Sequence, residues 1–326
     1  MSRVPFPAVH SALSPAALAD LLRADYDLGL DVTVTFLRRG LNDTYDVRWN
    51  SRRAALRVYR HGWRTAGDIA WELAFIERAA ARGVGMARPI SRRDGALFSV
   101  LHATEGERPC VLFEFAPGRM PEPVAKDAAL YGRTVAALHT ATDGLNAGGR
   151  FPLDLSHLIR TPLAHMRPLL TAEPELWRAI EATAERTLAA LAPLLPGLEW
   201  GPCHGDLHEG NAHLGPDGTL RLFDVDCGGP GWRAYDLAVY QWRQASRRTR
   251  TQEQENAAWT VFLDAYLTER SLADADLAAI PLFVTARSLW ILGLYSEQTG
   301  VAGTQSLDDT FFRNGLAFMQ GWAARA

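Results

Sequence analysis

The sequence predicts an α+β protein with two lobes, a small antiparallel-sheet lobe followed by a larger, mainly helical one. Short alternating apolar and polar runs, typical of strands, dominate the first part of the chain. Apolar residues at helical spacing dominate the rest. The break Ala116-Pro117-Gly118 separates the two patterns, so we assign residues 1–116 to an N-lobe and residues 117–326 to a C-lobe.

The N-lobe begins with a helix at Ala16–Ala24, because Ser14-Pro15 is a good N-cap and first-turn pair. A second helix, Gly67–Arg82, carries apolar residues at helical spacing and ends at Gly83. The predicted strands share β-branched and aromatic residues between turn signals, and they are Asp31–Leu37, Thr44–Trp49, Ala54–Tyr59, Leu97–Leu101 and Val111–Phe115.

The C-lobe combines helices with one hairpin. The turn signal Pro216-Asp217-Gly218 joins two short apolar segments, Ala212–Gly215 and Thr219–Phe223, into that hairpin. The predicted helices share long apolar periodicity, and they are Val124–Thr142, Glu173–Ala192, Tyr235–Arg247, Glu253–Glu269, Leu277–Glu297 and Thr310–Arg325.

The composition is that of an ordinary globular protein, with 48% hydrophobic and 22% charged residues in a chain of 326. The net charge of −3 gives no global field that would attract nucleic acid or an acidic membrane, so we expect neither as a partner. No apolar run approaches the length of about 18 residues that a transmembrane helix needs. The first seven residues lack the apolar core of a signal peptide.

The chain contains three cysteines, Cys110, Cys203 and Cys227, in no metal-like cluster. Such an odd, sparse count fits a reducing compartment, so we expect a cytoplasmic protein. Cys203 and Cys227 flank the most informative stretch of the sequence, where small buried roles suit them better than nucleophilic ones.

Residues 203–227 contain His204-x-Asp206, then Asn211, then an apolar run that ends at Asp224. A carboxylate, an amide and a second carboxylate at this spacing suit phosphoryl transfer. Asp206 is the candidate catalytic base for an attacking hydroxyl, and Asn211 and Asp224 are candidate ligands of the Mg²⁺ that accompanies ATP. The hairpin would carry Asp224 back beside Asn211.

Two other interpretations of this stretch remain open. The Asp and Asn side chains could simply cap turns in a polar loop. His204-x-x-x-His208 could instead bind zinc, although Gly205 and the turn-rich flanks argue against the helix that would aim both imidazoles at one metal.

Three N-lobe features are candidates for a nucleotide site. In the segment from Gly40 to Thr44, which lies between two strands, Gly40 and Asn42 could cover phosphates. An ordinary hairpin turn would read the same way. Arg57, in a β run, could reach the α- and β-phosphates and pair with Glu72 on the following helix, or it could be a solvated arginine on an exposed sheet face.

The third feature is the extended linker Glu114-Phe115-Ala116, which could offer backbone groups to the edge of an adenine and apolar side chains to its faces. A plain interdomain strand is the alternative. Asp236 opens the helix Tyr235–Arg247, and we predict that it anchors the backbone of the catalytic loop as well as capping the helix.

The run His204-Gly-Asp206-Leu-His208-x-Gly-Asn211, followed by Asp224 and Tyr235-Asp236-Leu-Ala, resembles the aminoglycoside phosphotransferase and choline kinase-like superfamily. Phe223-Asp224-Val225-Asp226 with Gly228-Gly229-Pro230, and Leu56-Arg57-Val58-Tyr59-Arg60-His61-Gly62-Trp63, are similar to the stress-response kinase A branch. The resemblance runs from about residue 30 to 245 and fades in the C-terminal helices.

This resemblance implies a two-lobed protein-kinase-like fold with ATP between the lobes. It implies that Asp206 is the catalytic residue, that Asn211 and Asp224 are metal ligands, and that Arg57 and Glu72 are the phosphate-contacting pair. His208 stands where protein kinases proper carry a lysine, which makes a γ-phosphate contact plausible.

The sequence departs from the superfamily at two positions. Arg57 occupies a position often filled by lysine, and its planar fork has a different geometry from a point charge. Glu209 stands where proline is common, and its charge either tunes the site or faces solvent. Neither change removes the base or the metal ligands.

The acceptor site is expected between Asp206 and the C-terminal helices. Acids in that region could bind an amine-rich acceptor or merely solvate helix ends, and they are Glu269, Glu297, Asp308 and Asp309. Aromatic residues there could line a sugar site or fill helix–helix cores, and they are Trp242, Trp290, Tyr295 and Trp322.

Three functions follow as hypotheses. The leading one is an ATP-dependent O-phosphotransferase with a small hydroxyl-bearing acceptor. The second is a serine/threonine protein kinase, although Val225–Tyr235 is too short for an activation loop of the usual kind. The third is a nucleotide-binding regulator without catalysis, which the intact Asp206, Asn211 and Asp224 disfavour.

Overall fold

The computed structural model describes residues 6–247 and 251–324. Its N-lobe contains α1 (Pro15–Asp25), α2 (Ala66–Ala81) and a five-stranded antiparallel sheet. The strands are β1 (Thr33–Arg39), β2 (Asp43–Trp49), β3 (Arg52–Val58), β4 (Ser99–Ala103) and β5 (Gly106–Glu114), in the spatial order β1-β2-β3-β5-β4. The predicted N-lobe architecture is therefore confirmed, with element ends shifted by a few residues.

Local sequence signals explain where the N-lobe helices begin and end. The Ser14 hydroxyl accepts a hydrogen bond from the backbone N–H of Ala17 and caps α1. Thr65 and Asp68 form a reciprocal capping box at the start of α2. Gly83 follows α2 with a φ of +85°, a left-handed conformation that glycine adopts without strain.

The C-lobe is mainly helical, as predicted. Its helices are α3 (Ala125–Thr142), α4 (Thr161–Met166), α5 (Pro174–Leu191), α6 (Arg233–Ala245), α7 (Gln252–Leu267), α8 (Asp274–Glu297), α9 (Thr299–Ala302) and α10 (Asp309–Ala323). Each predicted C-lobe helix is present, although Arg325, the expected end of the last one, lies outside the described residues.

Two small antiparallel ribbons lie among these helices. β6 (Trp200–Cys203) pairs with β9 (Gly229–Trp232), and β7 (Ala212–Leu214) pairs with β8 (Leu220–Leu222). The second ribbon is the predicted hairpin. The sequence did not predict the first, because β9 reads Gly-Pro-Gly-Trp and both glycine and proline are depleted in strands.

The sheet has a buried apolar face on each side. One face packs with α1 through residues such as Leu22, Tyr45 and Leu56. On the other, Val111 and Phe113 belong to the same apolar core as the C-lobe helices. The two lobes therefore share a continuous core, and residues 115–124, which join β5 to α3, run along its edge. The boundary predicted after residue 116 falls in this connection and stays a prediction.

One expectation about apolar runs needs correction. Helix α8 is long and apolar enough to span a membrane by length and composition, but 67% of its most apolar stretch is buried inside the protein. It is the central helix of the C-lobe, and it packs against α4 and α6. Its apolar composition is therefore explained by its burial in the core of the C-lobe.

Candidate active site

A buried carboxylate holds the loop that follows β6. Asp236, in the first turn of α6, accepts hydrogen bonds from the backbone N–H groups of His204 (2.6 Å) and Gly205 (2.7 Å). Burial raises the pKa of Asp236, against the lowering effect of His204 and these two bonds. The predicted anchoring role of Asp236 is confirmed. The His204 imidazole adds a bond from Nε2 to the carbonyl of Phe223 (3.1 Å) and so ties the loop to the end of β8.

Gly205 is required at the turn of this loop. Its φ is +77°, and a Cβ atom there would lie 2.2 Å from the carbonyl oxygen of Cys227. Any side chain would therefore displace either the loop or the segment after Asp224. The close approach brings the two halves of the site into contact through their backbones.

Asp206 projects from this loop and is held from both sides. Asn211 Nδ2 donates to Asp206 Oδ2 (2.8 Å), and His208 Nε2 lies 3.3 Å from the same oxygen. Arg287 of α8 pairs with the other oxygen, Oδ1. Burial would raise the pKa of Asp206, but the charge of Arg287 and the contact with His208 outweigh it and hold that pKa well below its usual range. Asp206 is therefore an ionised, fixed acceptor whose side chain keeps 19% exposure.

The tautomer of His208 follows from its two contacts. Its Nδ1 accepts from the backbone N–H of Gly210 (3.0 Å), so a neutral ring carries its proton on Nε2, facing Asp206. Each imidazole of the zinc alternative therefore has one nitrogen in a hydrogen bond, Nε2 in His204 and Nδ1 in His208. No cluster of three or more His, Cys, Asp or Glu side chains suited to a metal occurs in residues 6–247 and 251–324.

Asn211 and Asp224 are brought together by the hairpin, as predicted. The backbone N–H of Phe223 donates to the carbonyl of Asn211 (3.0 Å), so Asp224 follows directly beside it. Asp224 has a φ of +69°, a left-handed conformation that is strained for a residue with a side chain. Such strain is common where geometry serves a site.

These two side chains fit a hard divalent cation. Asn211 uses its Nδ2 group for Asp206, which leaves its amide oxygen available as a ligand. Asp224 supplies a carboxylate that is 29% exposed. Amide and carboxylate oxygens are the donors that Mg²⁺ and Ca²⁺ prefer, and Mg²⁺ usually takes its remaining ligands from water and substrate phosphates.

Arg57 bridges the two lobes. Its guanidinium donates to Glu72 on α2 (2.6 Å) and to Asp224 (2.9 Å). Glu72 is fully buried and also accepts from the Tyr59 hydroxyl (2.8 Å). Burial raises the pKa of Glu72, against the opposing effect of Arg57. The predicted Arg57–Glu72 pair is confirmed, and the fork of arginine adds the contact with Asp224.

A cavity of about 420 Å³ opens between the lobes beside Asp224. Its walls include five residues that the sequence predicts for the nucleotide and metal sites, namely Arg57, Glu114, Phe115, Ala116 and Asp224. Apolar side chains from both lobes complete it, among them Ile76, Phe113 and Phe223. The His213 imidazole bonds the carbonyl of Ala116 (2.6 Å) and holds the linker against the C-lobe. A flat heterocycle with attached phosphates would fit this shape and polarity.

Gly40 and Asn42 are not among the described residues that line this cavity. Asn42 is buried, its Nδ2 donates to Asp226 (2.9 Å), and its Oδ1 accepts from the backbone of Arg60 (3.2 Å). Because both ends of the amide are occupied, the expectation that Asn42 covers phosphates is not supported. Thr44 and Arg38 of the neighbouring strands line the cavity instead.

Asp226 is a second interlobe link. It is 1% exposed, and it accepts from Asn42, from Trp63 Nε1 (2.9 Å) and from Arg64 Nε (2.8 Å). Burial would raise the pKa of Asp226, but Arg64 and Arg57 outweigh it and lower that pKa. The carboxylate of Asp226 therefore binds three N-lobe side chains and links the two lobes.

Sequence reasoning missed Arg287, because nothing in an apolar helix of the C-terminal region marks one arginine as the partner of Asp206. Arg287 stands out in the structure because it is a charged residue that is only 2% exposed.

Glu209, whose role was open, neither tunes the base directly nor faces solvent. It pairs with Arg243 (2.8 Å) and Arg247 and so ties the loop to α6.

Of the candidate acids for the acceptor site, Glu297 lines a pocket, and it also pairs with Arg60. Asp308 caps α10 through the N–H of Phe311 (2.9 Å). Of the aromatic candidates, Trp290 lines the same pocket, while Trp322 donates to the carbonyl of Pro281 inside a helix–helix contact. One of the four candidate carboxylates, Glu297, thus lines a pocket formed mostly by C-lobe residues.

Comparison with known sequences agrees with this geometry. The sequence model described as "Phosphotransferase enzyme family" matches residues 33–274. A Deinococcus radiodurans protein described as uncharacterized is 52% identical over 320 residues, covering 98% of this chain and 93% of that protein. A homoserine kinase of Azorhizobium caulinodans is 28% identical over 239 residues, covering 71% of this chain and 70% of the enzyme.

Solved structures show the same fold. A microcompartment-associated aminopropanol kinase superposes with a TM-score of 0.72 at 22% identity, covering 95% of both chains. An amicoumacin kinase, solved in complex with AMP-PNP, Ca²⁺ and Ami, superposes with a TM-score of 0.74 at 19% identity, covering 96% of this chain and 94% of that one. Both structures are of kinases, and the predicted fold class is confirmed.

Proposed function

The chain belongs to the phosphotransferase enzyme family, and on that premise we propose that it transfers the γ-phosphoryl group of Mg-ATP to a hydroxyl group of a small molecule. The observation that carries this proposal is the convergence of Asp206, Asn211 and Asp224 beside a cavity whose N-lobe wall holds Arg57. These groups supply the parts that phosphoryl transfer needs, namely an oriented nucleophile and fixed positive charge.

In this proposal Asp206 orients the acceptor hydroxyl and receives its proton. Its depressed pKa makes it a weak base, which suits a loose transition state in which the proton leaves late. Arg287, Asn211 and His208 hold the carboxylate in one orientation, so the hydroxyl finds a fixed acceptor.

The nucleotide would lie in the cavity of about 420 Å³, with Arg57 facing its phosphates. Asn211 and Asp224 would hold a Mg²⁺ ion, which neutralises charge on the phosphate oxygens when it is bound. The AMP-PNP and Ca²⁺ in the amicoumacin kinase support nucleotide and divalent cation use in this fold.

Two findings support a small acceptor rather than a protein. The named relatives and neighbours are kinases of homoserine, aminopropanol and amicoumacin. In this chain, the segment from Asp224 to Asp236 is occupied by one turn of 3₁₀ helix, β9 and the start of α6, which leaves no long loop for a protein substrate.

We also propose a cytoplasmic location. All three cysteines are buried and unpaired, which supports this proposal.

An ADP-release assay with Mg-ATP tests the proposal. It would compare homoserine, 1-amino-2-propanol, choline, simple sugars and an aminoglycoside as acceptors, with casein as a protein substrate. We expect turnover with a small acceptor. We expect Asp206→Ala to lower kcat by about 10³-fold with nucleotide binding retained, since it removes the base and leaves the ATP cavity intact.

Titration with AMP-PNP and Mg²⁺ serves as the control for folding and binding of that variant. Labelling of casein alone would replace the small acceptor with a protein substrate. ATP binding without turnover on any acceptor would refute the proposed activity in favour of a nucleotide-binding regulator.

A further inference from the structure

A second pocket, of about 310 Å³, lies between α4, α8 and the segment that follows β3. We call it the α8 pocket, and six of its lining residues define it here, Trp63, Arg64, His157, Trp290, Leu294 and Glu297. It shares none of its described lining residues with the larger cavity beside Asp224. A ligand could therefore occupy each of them at the same time.

The α8 pocket adjoins the catalytic carboxylate. The ring of Trp290 lies 4.4 Å from the guanidinium carbon of Arg287, and Arg287 pairs with Asp206. On its other side, Arg64 binds Asp226, two residues beyond Asp224. The side chain of Arg287 thus links Trp290, in the wall of the pocket, to Asp206, and the acceptor hydroxyl must reach Asp206 if the proposed function is right.

The charges around the α8 pocket balance. Arg64 is 8% exposed and is neutralised by the buried Asp226. Glu297 pairs with Arg60, which lies above the ring of Trp63 at 4.7 Å. A ligand with several positive charges would meet two arginines and a carboxylate that already has a partner. Such a pocket disfavours a polycation.

Glu297 still has capacity to bind a ligand. Both of its oxygens contact a single nitrogen of Arg60, each at 3.1 Å. A carboxylate offers about four acceptor sites, so roughly half of them remain for other donors. Its side chain keeps 32% exposure. One ammonium or hydroxyl group of a ligand could use these sites.

His157 lines the pocket with an uncharged ring. Its Nε2 accepts from Trp290 Nε1 (3.1 Å), so the proton of the neutral ring lies on Nδ1. Burial, with a smaller contribution from Arg64, lowers the pKa of His157 to about 4, which keeps the ring uncharged at neutral pH. The ring also stacks on Phe151 at 5.0 Å, which fixes its orientation.

The size of the pocket adds a limit. Pockets for drug-sized ligands span about 300–1,000 Å³, and the α8 pocket stands at the lower end of that range. Together with the aromatic faces of Trp63 and Trp290, this volume suits a molecule of one ring or a short chain.

We propose that the α8 pocket is the acceptor site, and that it selects a compact hydroxylated molecule with at most one ammonium group, which Glu297 binds. The proposal rests on the phosphotransferase function argued above. It excludes polycationic aminoglycosides as the preferred acceptors.

Two variants and a matched control test the pocket. Leu294→Trp places a large side chain in the pocket, and Leu282→Trp makes the same change at another partly buried leucine of α8, outside the lining. Glu297→Gln removes the charge and keeps the shape. The probes are 1-amino-2-propanol, homoserine and glucose as compact acceptors and kanamycin as the polycation.

We expect Asp206-dependent ADP release with a compact probe. Leu294→Trp should raise the KM of that probe by about tenfold or more with an unchanged KM for ATP, because it occupies acceptor space only. Leu282→Trp should leave both constants within about twofold. Glu297→Gln should raise the KM of an amino alcohol by about tenfold and change that of glucose much less, because the glutamine amide can still accept from a hydroxyl but loses the charge-assisted bond to an ammonium group.

Binding is measured separately from turnover, by tryptophan fluorescence in the presence of AMP-PNP, since Trp63 and Trp290 line the pocket. Binding of a compact probe that Leu294→Trp abolishes, without turnover, would refute the phosphotransferase function and keep the pocket assignment. Turnover that is indifferent to Leu294→Trp would refute the pocket and keep the function. A lower KM or dissociation constant for kanamycin than for every compact probe would overturn the selectivity, and binding of none of the four probes would overturn the assignment.

Discussion

Replacing Arg287 by methionine should show whether catalysis depends on how Asp206 is held, because the variant keeps Asp206 and removes its charged partner. Arg287 is 2% exposed and contacts Asp206, the carbonyl of Gly205 (3.2 Å) and the hydroxyl of Tyr235 (3.3 Å). Methionine keeps most of the length and removes the charge and every donor. Asp206 would retain Asn211 and His208, but it would lose the charge that outweighs its burial.

The expected loss of stability follows from the geometry. Removing one partner of a buried pair costs about 3–5 kcal/mol, and the 19% exposure of Asp206 with its two remaining partners favours the lower end. A misplaced catalytic group costs about 10²-fold in rate, so kcat should fall by about that factor with little change in the KM for ATP. Urea unfolding and steady-state kinetics measure the two effects.

The pH dependence gives a sharper test. In the native protein the pKa of Asp206 is depressed, so the stabilisation from its pair is complete above the ordinary carboxyl pKa and is lost as the pH falls below it. Without the charge of Arg287 this pKa should rise, although His208 still lowers it. The acid limb of kcat/KM should therefore move to higher pH, and the stability difference between the two proteins should shrink on acidification.

Arg270→Met is the matched control. Arg270 pairs with Asp143 (2.8 Å) and Glu199, and neither acid belongs to the site described above. This variant should lose stability without moving the acid limb. If Arg287→Met lowers activity only in proportion to the unfolded fraction, with an unmoved acid limb, then Arg287 is merely structural and the reasoning is refuted.

Three further predictions concern the nucleotide half of the site. Asp224→Ala should weaken AMP-PNP binding at least about tenfold in Mg²⁺ and much less in EDTA, because it removes a metal ligand, and equal losses in calorimetry under both conditions would contradict the assignment. Gly205→Ala should leave a folded protein by circular dichroism but lower kcat by about 10²-fold, because its Cβ would lie 2.2 Å from Cys227 O, and full activity would show that the loop adapts freely. Arg57→Lys should raise the KM for ATP about tenfold, because one ammonium group cannot bridge Glu72 and Asp224 in the way the guanidinium does, and an unchanged KM would mean that only the charge matters.

The catalytic stretch could be predicted from the sequence because its chemistry is local. Asp206 and Asn211 are five residues apart, and the turn at 216–218 returns the chain to Asp224. The pairing of Arg57 with Glu72 could also be predicted, since the two residues lie on a strand and on the helix that follows it, 15 positions apart.

Contacts between distant elements could not be predicted in this way. Arg287 reaches Asp206 across 81 residues, and Asn42 reaches Asp226 across 184. Asn42 is polar and lies in a turn, so its sequence setting indicated a ligand-facing role. In the structure the lobes pack so that the amide of Asn42 donates to the buried carboxylate of Asp226, which satisfies its hydrogen bonding. The strand β9 was missed for a related reason, since its pairing with β6 depends on tertiary contacts and opposes local propensity.

The burial of Asp226 has a consequence for nucleotide exchange. Separating the lobes would break its bonds to Asn42, Trp63 and Arg64 together and would leave an ionised group without partners, at a cost of several kcal/mol. We therefore expect that opening of the lobes, which these bonds resist, limits the release of ADP. Replacing Asp226 by asparagine would then speed product release, which pre-steady-state kinetics would measure.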